Sequence, residues 1–267
     1  MTGPDPMRFS PDDVAAARKT LEQARAGEAV PIVILTDEEV VILDGLEHDQ
    51  LVPTPWLEAQ EGADRSLVGR VALRSLLARE MVLPASVTDG SVRITAHPGI
   101  TGPLVLRRTA QEILSAERTT SGGKHWAFAY VHDEDGSKVV LEEEISDSGH
   151  HAFSVYPFDH LGERWEAFLD PTGVAVMGGK ATTIPADALP TQAPELPQLK
   201  DAVAVSVVSA VRKGQDFLVN ASVYAGPHGV HVLRGEGRDA AGGPASYVLQ
   251  EVGPRGLRAL PEELVSS

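Results

Sequence analysis

From Lys124 to Tyr156 the chain reads Lys124-His-Trp-Ala-Phe-Ala-Tyr-Val-His-Asp-Glu-Asp-Gly-Ser-Lys-Val-Val-Leu-Glu-Glu-Glu-Ile-Ser-Asp-Ser-Gly-His-His-Ala-Phe-Ser-Val-Tyr156. His125 to Val131 alternates with period two, the pattern of a strand with two distinct faces. Asp133-Glu-Asp-Gly136 is built from residues that favour tight turns. Ser137 to Ile145 is a second strand, Asp147-Ser-Gly149 another turn, and His151 to Tyr156 a third strand. Strands joined by such short turns must run antiparallel, because a parallel crossover needs a dozen or more residues. The fold class is therefore α+β: an antiparallel β-meander sheet with two or three packing helices.

Working outward, Ser121-Gly-Gly is a turn, and Gln111–Thr120 and Pro103–Ala110 read as further strands, the former with a helical alternative. Val92–Thr95 is a short strand. A helix is predicted from Asp64 to before Pro84, with Leu67, Val68, Val71, Ala72, Leu76, Leu77 and Met81 facing the sheet. Pro31 to Leu43 holds two β-branched runs around Thr36-Asp-Glu-Glu and reads as a hairpin. The competing reading is a helix capped by Thr36 and Glu39. Ser10, Pro11, Asp12 and Asp13 open a first helix that should stop at Gly27. Downstream, a short helix near Asp159–Leu169 ends at Pro171-Thr-Gly173. Ala202–Val211, Asp216–Tyr224, Gly229–Arg234 and Ser246–Val252 are strands. Residues 181–199, punctuated by Pro185, Pro190, Pro194 and Pro197, read as a linker. The expected organisation is a helix-plus-sheet domain over 1–180, the linker, and a smaller β-hairpin unit over 200–267. Lys138–Val155 resembles Asp216–Leu233, and Asp170–Val176 resembles Gly253–Ala259, which would make two related halves.

The net charge of −15 repels phosphate, and no Lys/Arg cluster offsets it, so nucleic acid and anionic membrane surfaces are disfavoured partners. With no cysteine there is no thiol chemistry and no Cys-zinc site. No basic segment followed by an apolar run is seen near Met1, and no apolar run approaches membrane-spanning length. The expected location is the cytoplasm.

Candidate chemistry is sparse. His150, His151 and His160 lie near Glu142 and Glu144 in sequence, residue types that bind metals. Adjacent histidines on a strand, however, point to opposite faces. Glu142, Glu143 and Glu144 read as a solvated sheet face. Asp133–Gly136 lacks an oxygen donor at the first position of a calcium loop. Gly122-Gly-Lys124 lacks the spacing of a phosphate loop, and neither Ser121 nor Ser148 has the flanks of a nucleophile elbow. Trp126, Phe128 and Tyr130 share one strand face, either as core or as a partner-binding surface. Trp56, between Pro55 and Leu57, reads as a packing residue or a partner anchor.

Several stretches together resemble the EspG family, the cytosolic chaperones of type VII (ESX) secretion. They are Leu35–Leu43 followed by Pro53-Thr-Pro-Trp-Leu57, the helix ending Ala72–Val82, the strands from Leu104 to Tyr130, and Tyr224–Val232. The resemblance implies a quasi-two-fold sheet with flanking helices that binds the tip of a helical-hairpin secretion substrate, without catalysis or cofactor. The expected function is a non-enzymatic protein-binding adaptor or secretion chaperone. Its partner-binding residues would be Trp56, Leu57, Trp126, Phe128 and Tyr130, with no cofactor and no catalytic residue. The alternatives are a metal-dependent hydrolase using His150, His151, His160, Glu142 and Glu144, or a structural subunit of a larger assembly.

Overall fold

A computed structural model describes residues 9–24, 28–45, 50, 52–86, 92–134, 136–212, 219–238 and 242–266. The class is α+β, with antiparallel strands throughout the main sheet and helices packed on it. The chain does not divide at 181–199. One unit comprises residues Met1–Ala110 and His132–Pro157; the other comprises Gln111–Val131 and Phe158–Ser267.

In the first unit, α1 (Pro11–Gln23) begins with a capping box: Asp13 N donates to Ser10 Oγ, and Ser10 N donates to the Asp13 carboxylate. Its expected stop at Gly27 lies outside the described residues. The stretch expected to be a hairpin is instead β1 (Val30–Thr36) followed by α2 (Asp37–Asp44). Thr36 N donates to Glu39 Oε2 at 3.3 Å, and three consecutive acidic residues lie at the positive end of the helix dipole. The polar tetrad between the two apolar runs is thus a helix start, and these local terms outweigh the β-propensity of Val40 and Val41.

A four-residue turn of helix, α3 (Pro55–Glu58), precedes α4 (Arg65–Ala78), which is capped by Asp64. The buried face of α4 is Gly69, Ala72 and Leu76, and it packs on α2 rather than on the sheet. Leu67 and Val71, expected to face inward, are exposed. A separate pair, β2 (Val82–Ser86) and β3 (Val92–Ala96), follows.

Pro103–Ala110 is not a strand but the end of α5 (Pro98–Thr109). Pro98 occupies the first helical position, and His97 Nδ1 accepts from Gly99 N at 3.1 Å. A side chain at Gly102 would come within 2.1 Å of Thr20 Oγ1 and 2.8 Å of Ala16 O, so this glycine sets the close crossing of α5 on α1.

After β4 (Glu112–Thr120) and β5 (Gly123–Glu134), the chain returns to the first unit as β6 (Ser137–Ser146) and β7 (His150–Pro157). Within this unit the strand order is β1-β7-β6. Leu35 opposes His151 on one side of β7, and Ile145 opposes it on the other.

With β8 (Ala181–Pro185), β9 (Ala204–Arg212), β10 (Val219–Gly226), β11 (Gly229–Glu236) and β12 (Ser246–Glu251), the second unit orders its strands β5-β4-β9-β10-β11-β12-β8 among the described residues. β9 (Ala204–Arg212) pairs with β4 along its whole length, from Glu112↔Arg212 to Thr120↔Ala204. That ladder ties residues 111–131 to the C-terminal strands and explains the division seen. β8 (Ala181–Pro185) forms the edge beside β12 (Ser246–Glu251), so the expected linker contributes a strand and two short helices, α7 (Leu189–Gln192) and α8 (Pro197–Lys200).

The C-terminal portion is not wholly β. After β10 (Val219–Gly226), β11 (Gly229–Glu236) and β12 comes α9 (Pro254–Ser266), with Leu257, Leu260 and Leu264 buried on one face. It packs against α6 (Leu161–Leu169). Of the two resemblances within the chain, the first pairs two real hairpins, β6–β7 and β10–β11. The second sets an irregular turn at Asp170–Val176 against the start of α9.

Candidate functional site

The strongest concentration of polar groups lies in the interior of the first unit. His151 on β7 and Glu143 on β6 are diagonal neighbours on one face, because His151 opposes Ile145. His151 Nδ1 lies 2.7 Å from Glu143 Oε1, and His151 Nε2 lies 2.8 Å from Asp37 Oδ1 at the start of α2. All three side chains are fully buried.

The second oxygens of both carboxylates are also engaged. Asp37 Oδ2 accepts from Leu57 N at 2.9 Å, and Glu143 Oε2 lies 3.0 Å from Arg107 Nε on α5. Arg107 Nη1 reaches Asp44 Oδ2 at 3.4 Å, and Arg108 Nη2 reaches the same oxygen at 3.1 Å. A continuous ionic chain therefore links β7, β6, α5 and both ends of α2. The last turn of α5, where Arg107 and Arg108 sit, is where cations complement the helix dipole.

Burial pulls the His151 pKa down, but the hydrogen bonds to Asp37 and Glu143 and their charges outweigh it, so the net shift is upward. His132 behaves oppositely: burial pushes it down to about 4, only partly countered by its hydrogen bond to the Leu106 backbone.

The metal-ligand alternative does not assemble. His151 faces Asp37 and Glu143, whereas Glu142 accepts from Tyr156 Oη at 2.6 Å. His150 is exposed against Ser148, His160 lies 3.9 Å from Asp159, and Glu144 is exposed. Among the described residues no three His, Cys, Asp or Glu side chains gather in a metal-holding geometry. Glu142 and Glu143 are both buried, which corrects the reading of Glu142–Glu144 as a solvated face. Gly136 N donates to Asp133 Oδ1 at 2.9 Å; Asp135 lies outside the described residues.

The expected partner-binding residues separate. Trp56 is 40% exposed on α3, while Leu57 is buried and anchored through its N–H to Asp37. Trp126 and Tyr130 are buried in the second unit, and Phe128 is half-buried and stacked with Tyr130. Trp126 Nε1 donates to Glu117 Oε2 at 3.0 Å. Two of the three strand aromatics are therefore packed rather than presented.

An exposed apolar surface missed in the sequence lies next to them. On β9, Ala204, Ser206, Val208 and Ala210 are buried on the face that α6 and α9 cover. The other face carries Val207 and Val211, 47% and 43% exposed, with Val203, 53% exposed, immediately before the strand. Val207 opposes Glu117 and Val211 opposes Ile113 on β4. The signal was present as valines at every fourth position, but a strand sequence does not say which of its faces is covered.

No family model matches the chain, and no curated protein matches it. Among solved structures, one match is to the structure of the Mycobacterium tuberculosis type VII secretion system chaperone EspG5 in complex with the PE25–PPE41 dimer. It covers 87% of this chain and 93% of that chain, with a TM-score of 0.51 and 11% identity. The two share a fold. Matches to HtdX of Mycobacterium tuberculosis and to the CurK dehydratase reach TM-scores of only 0.17 and 0.14, at 10% and 9% identity, and carry no argument. HtdX is covered over its full length and the dehydratase over 85%, against 84% and 66% of this chain. No described helix is long and apolar enough to cross a membrane.

Proposed function

We propose that this chain is a non-enzymatic, cytoplasmic adaptor that binds a protein partner, in the manner of a type VII secretion chaperone. The observation that carries the reading is the fold shared over 87% of the chain with a chaperone whose structure holds a protein complex. Two surface features support it. The stripe of Val203, Val207 and Val211 along and just before β9 offers apolar area for a partner, and Trp56 offers an exposed aromatic of the kind that anchors interfaces. The buried ionic chain serves to hold the first unit together rather than to perform chemistry, since each carboxylate in it is committed to a protein donor.

Affinity purification of the tagged chain from its native cells tests the reading, with Val207→Asp/Val211→Asp purified in parallel. A partner retained in stoichiometric amount by the wild type and lost from the double variant is the expected result. No partner under several salt and growth conditions overturns it.

A further inference from the structure

Asp37 uses both carboxylate oxygens, one toward His151 Nε2 and the other toward the Leu57 amide. Its own N–H donates to Gly149 O at 2.9 Å. The short helix that presents Trp56 is thus fastened to the strand layer through one buried aspartate, and that aspartate is itself oriented by His151.

We infer that His151 is a positioning residue: a buried imidazolium that bridges Glu143 and Asp37, holds Asp37 against the Leu57 amide, and so fixes the Trp56-bearing turn as a preformed contact for a protein partner. The use made of that turn rests on the adaptor reading above; the positioning itself does not.

The geometry demands two N–H groups. Carboxylate oxygens stand 2.7 and 2.8 Å from the two ring nitrogens. A neutral imidazole has one donor and one acceptor nitrogen, so it would aim a lone pair at one of these oxygens. The surrounding charges agree. The groups facing this cluster are Asp37 and Asp44 from α2, Glu143 from β6, and Arg107 and Arg108 from α5. From β1 the residue opposite His151 is Leu35, which carries no charge. Three carboxylates and two guanidiniums leave one negative charge, which an imidazolium cancels. An uncompensated charge at full burial is strongly unfavourable. Removing the ring proton would cost one of the two bonds and turn a lone pair toward Glu143 or Asp37, which loosens the bridge that orients Asp37. The turn at Trp56 would then be held by fewer contacts, while the rest of the strand layer stayed paired.

The full chain, labelled with nitrogen-15 on histidine, allows the His151 ring to be followed by NMR as pH is raised from about 6. Hydrogen exchange, corrected for intrinsic rates, reports the Leu57 amide in the same samples, with the Val208 amide on β9 as the internal reference. Both ring nitrogens are expected to carry protons at neutral pH. Leu57 protection should fall at least about tenfold as the ring loses a proton, with Val208 unchanged. His151→Gln should show the same selective loss at neutral pH; should that variant not fold, the wild-type pH series decides alone. A ring with a single proton at about pH 6, or Leu57 protection indifferent to deprotonation, overturns the inference. No partner is needed for these measurements, so a failed co-purification refutes the adaptor reading without touching the positioning role.

Discussion

Gly149 has φ +74°, and a Cβ placed there would lie 2.6 Å from Trp56 Cβ and 2.7 Å from Asp37 Oδ2. Conformation and space therefore both select glycine. Gly149→Ala is expected to destabilise the protein by about 2 kcal/mol or more, read as a lowered denaturant midpoint, with Trp56 more accessible to a collisional quencher. Two of the buried histidines, His132 and His151, give stability an opposite dependence on pH. For His132 the folded pKa lies below the unfolded one, so the unfolded chain takes up the proton first as pH falls from about 6.5. Stability should drop by up to about 3 kcal/mol by pH 4, and His132→Leu should flatten that limb. For His151 the folded pKa is raised. Its stabilisation is fully present below the unfolded value and is lost as pH rises through the folded one, so the alkaline limb belongs to it. Urea melts across pH of the wild type and each single variant check both assignments.

At the scale of elements, α2 and α5 show how local and distant terms combine. Both occupy stretches with β-branched or apolar runs that read as strands, and both begin at well-formed caps. Both are then joined by charge: Asp44 at the end of α2 meets Arg107 and Arg108 in the last turn of α5. Arg107→Met should lower stability by about 3–5 kcal/mol, because it removes the buried guanidinium shared by Glu143 and Asp44 and leaves them only His151 and Arg108. Double replacement of Arg107 and Glu143 by apolar residues of similar size should cost less than that single change, which calorimetry of the two variants would reveal. The cap of α2 is legible in the sequence, where Thr36 and Glu39 spell a capping box beside the hairpin reading; the His97 cap of α5 is not, since Pro103–Ala110 reads as a strand. The ionic partners were not, since Asp37 and His151 are 114 positions apart.

For the whole molecule, the covered and uncovered faces of β9 make separable predictions. Val208→Asp puts a carboxylate under α6 and α9 and should prevent folding or lower the melting temperature severely. Val207→Asp and Val211→Asp lie on the open face and should melt within a few degrees of the wild type, by circular dichroism, while losing the partner. The division into units was not legible from the proline-rich stretch at 181–199. Proline and alanine there also suit an edge strand and short helices, and the β4–β9 ladder that joins distant segments leaves no composition mark.

Turn chemistry, period-two alternation and helix caps are local, and so the chain alone specified the class, most of the strands and the helices at 11–23, 65–78 and 161–169. Which strand face is covered, which glutamates are buried and which histidine meets two carboxylates depend on strand register and helix docking. Those are set by burying apolar area across long sequence separations, and a reading confined to neighbours along the chain has no access to them.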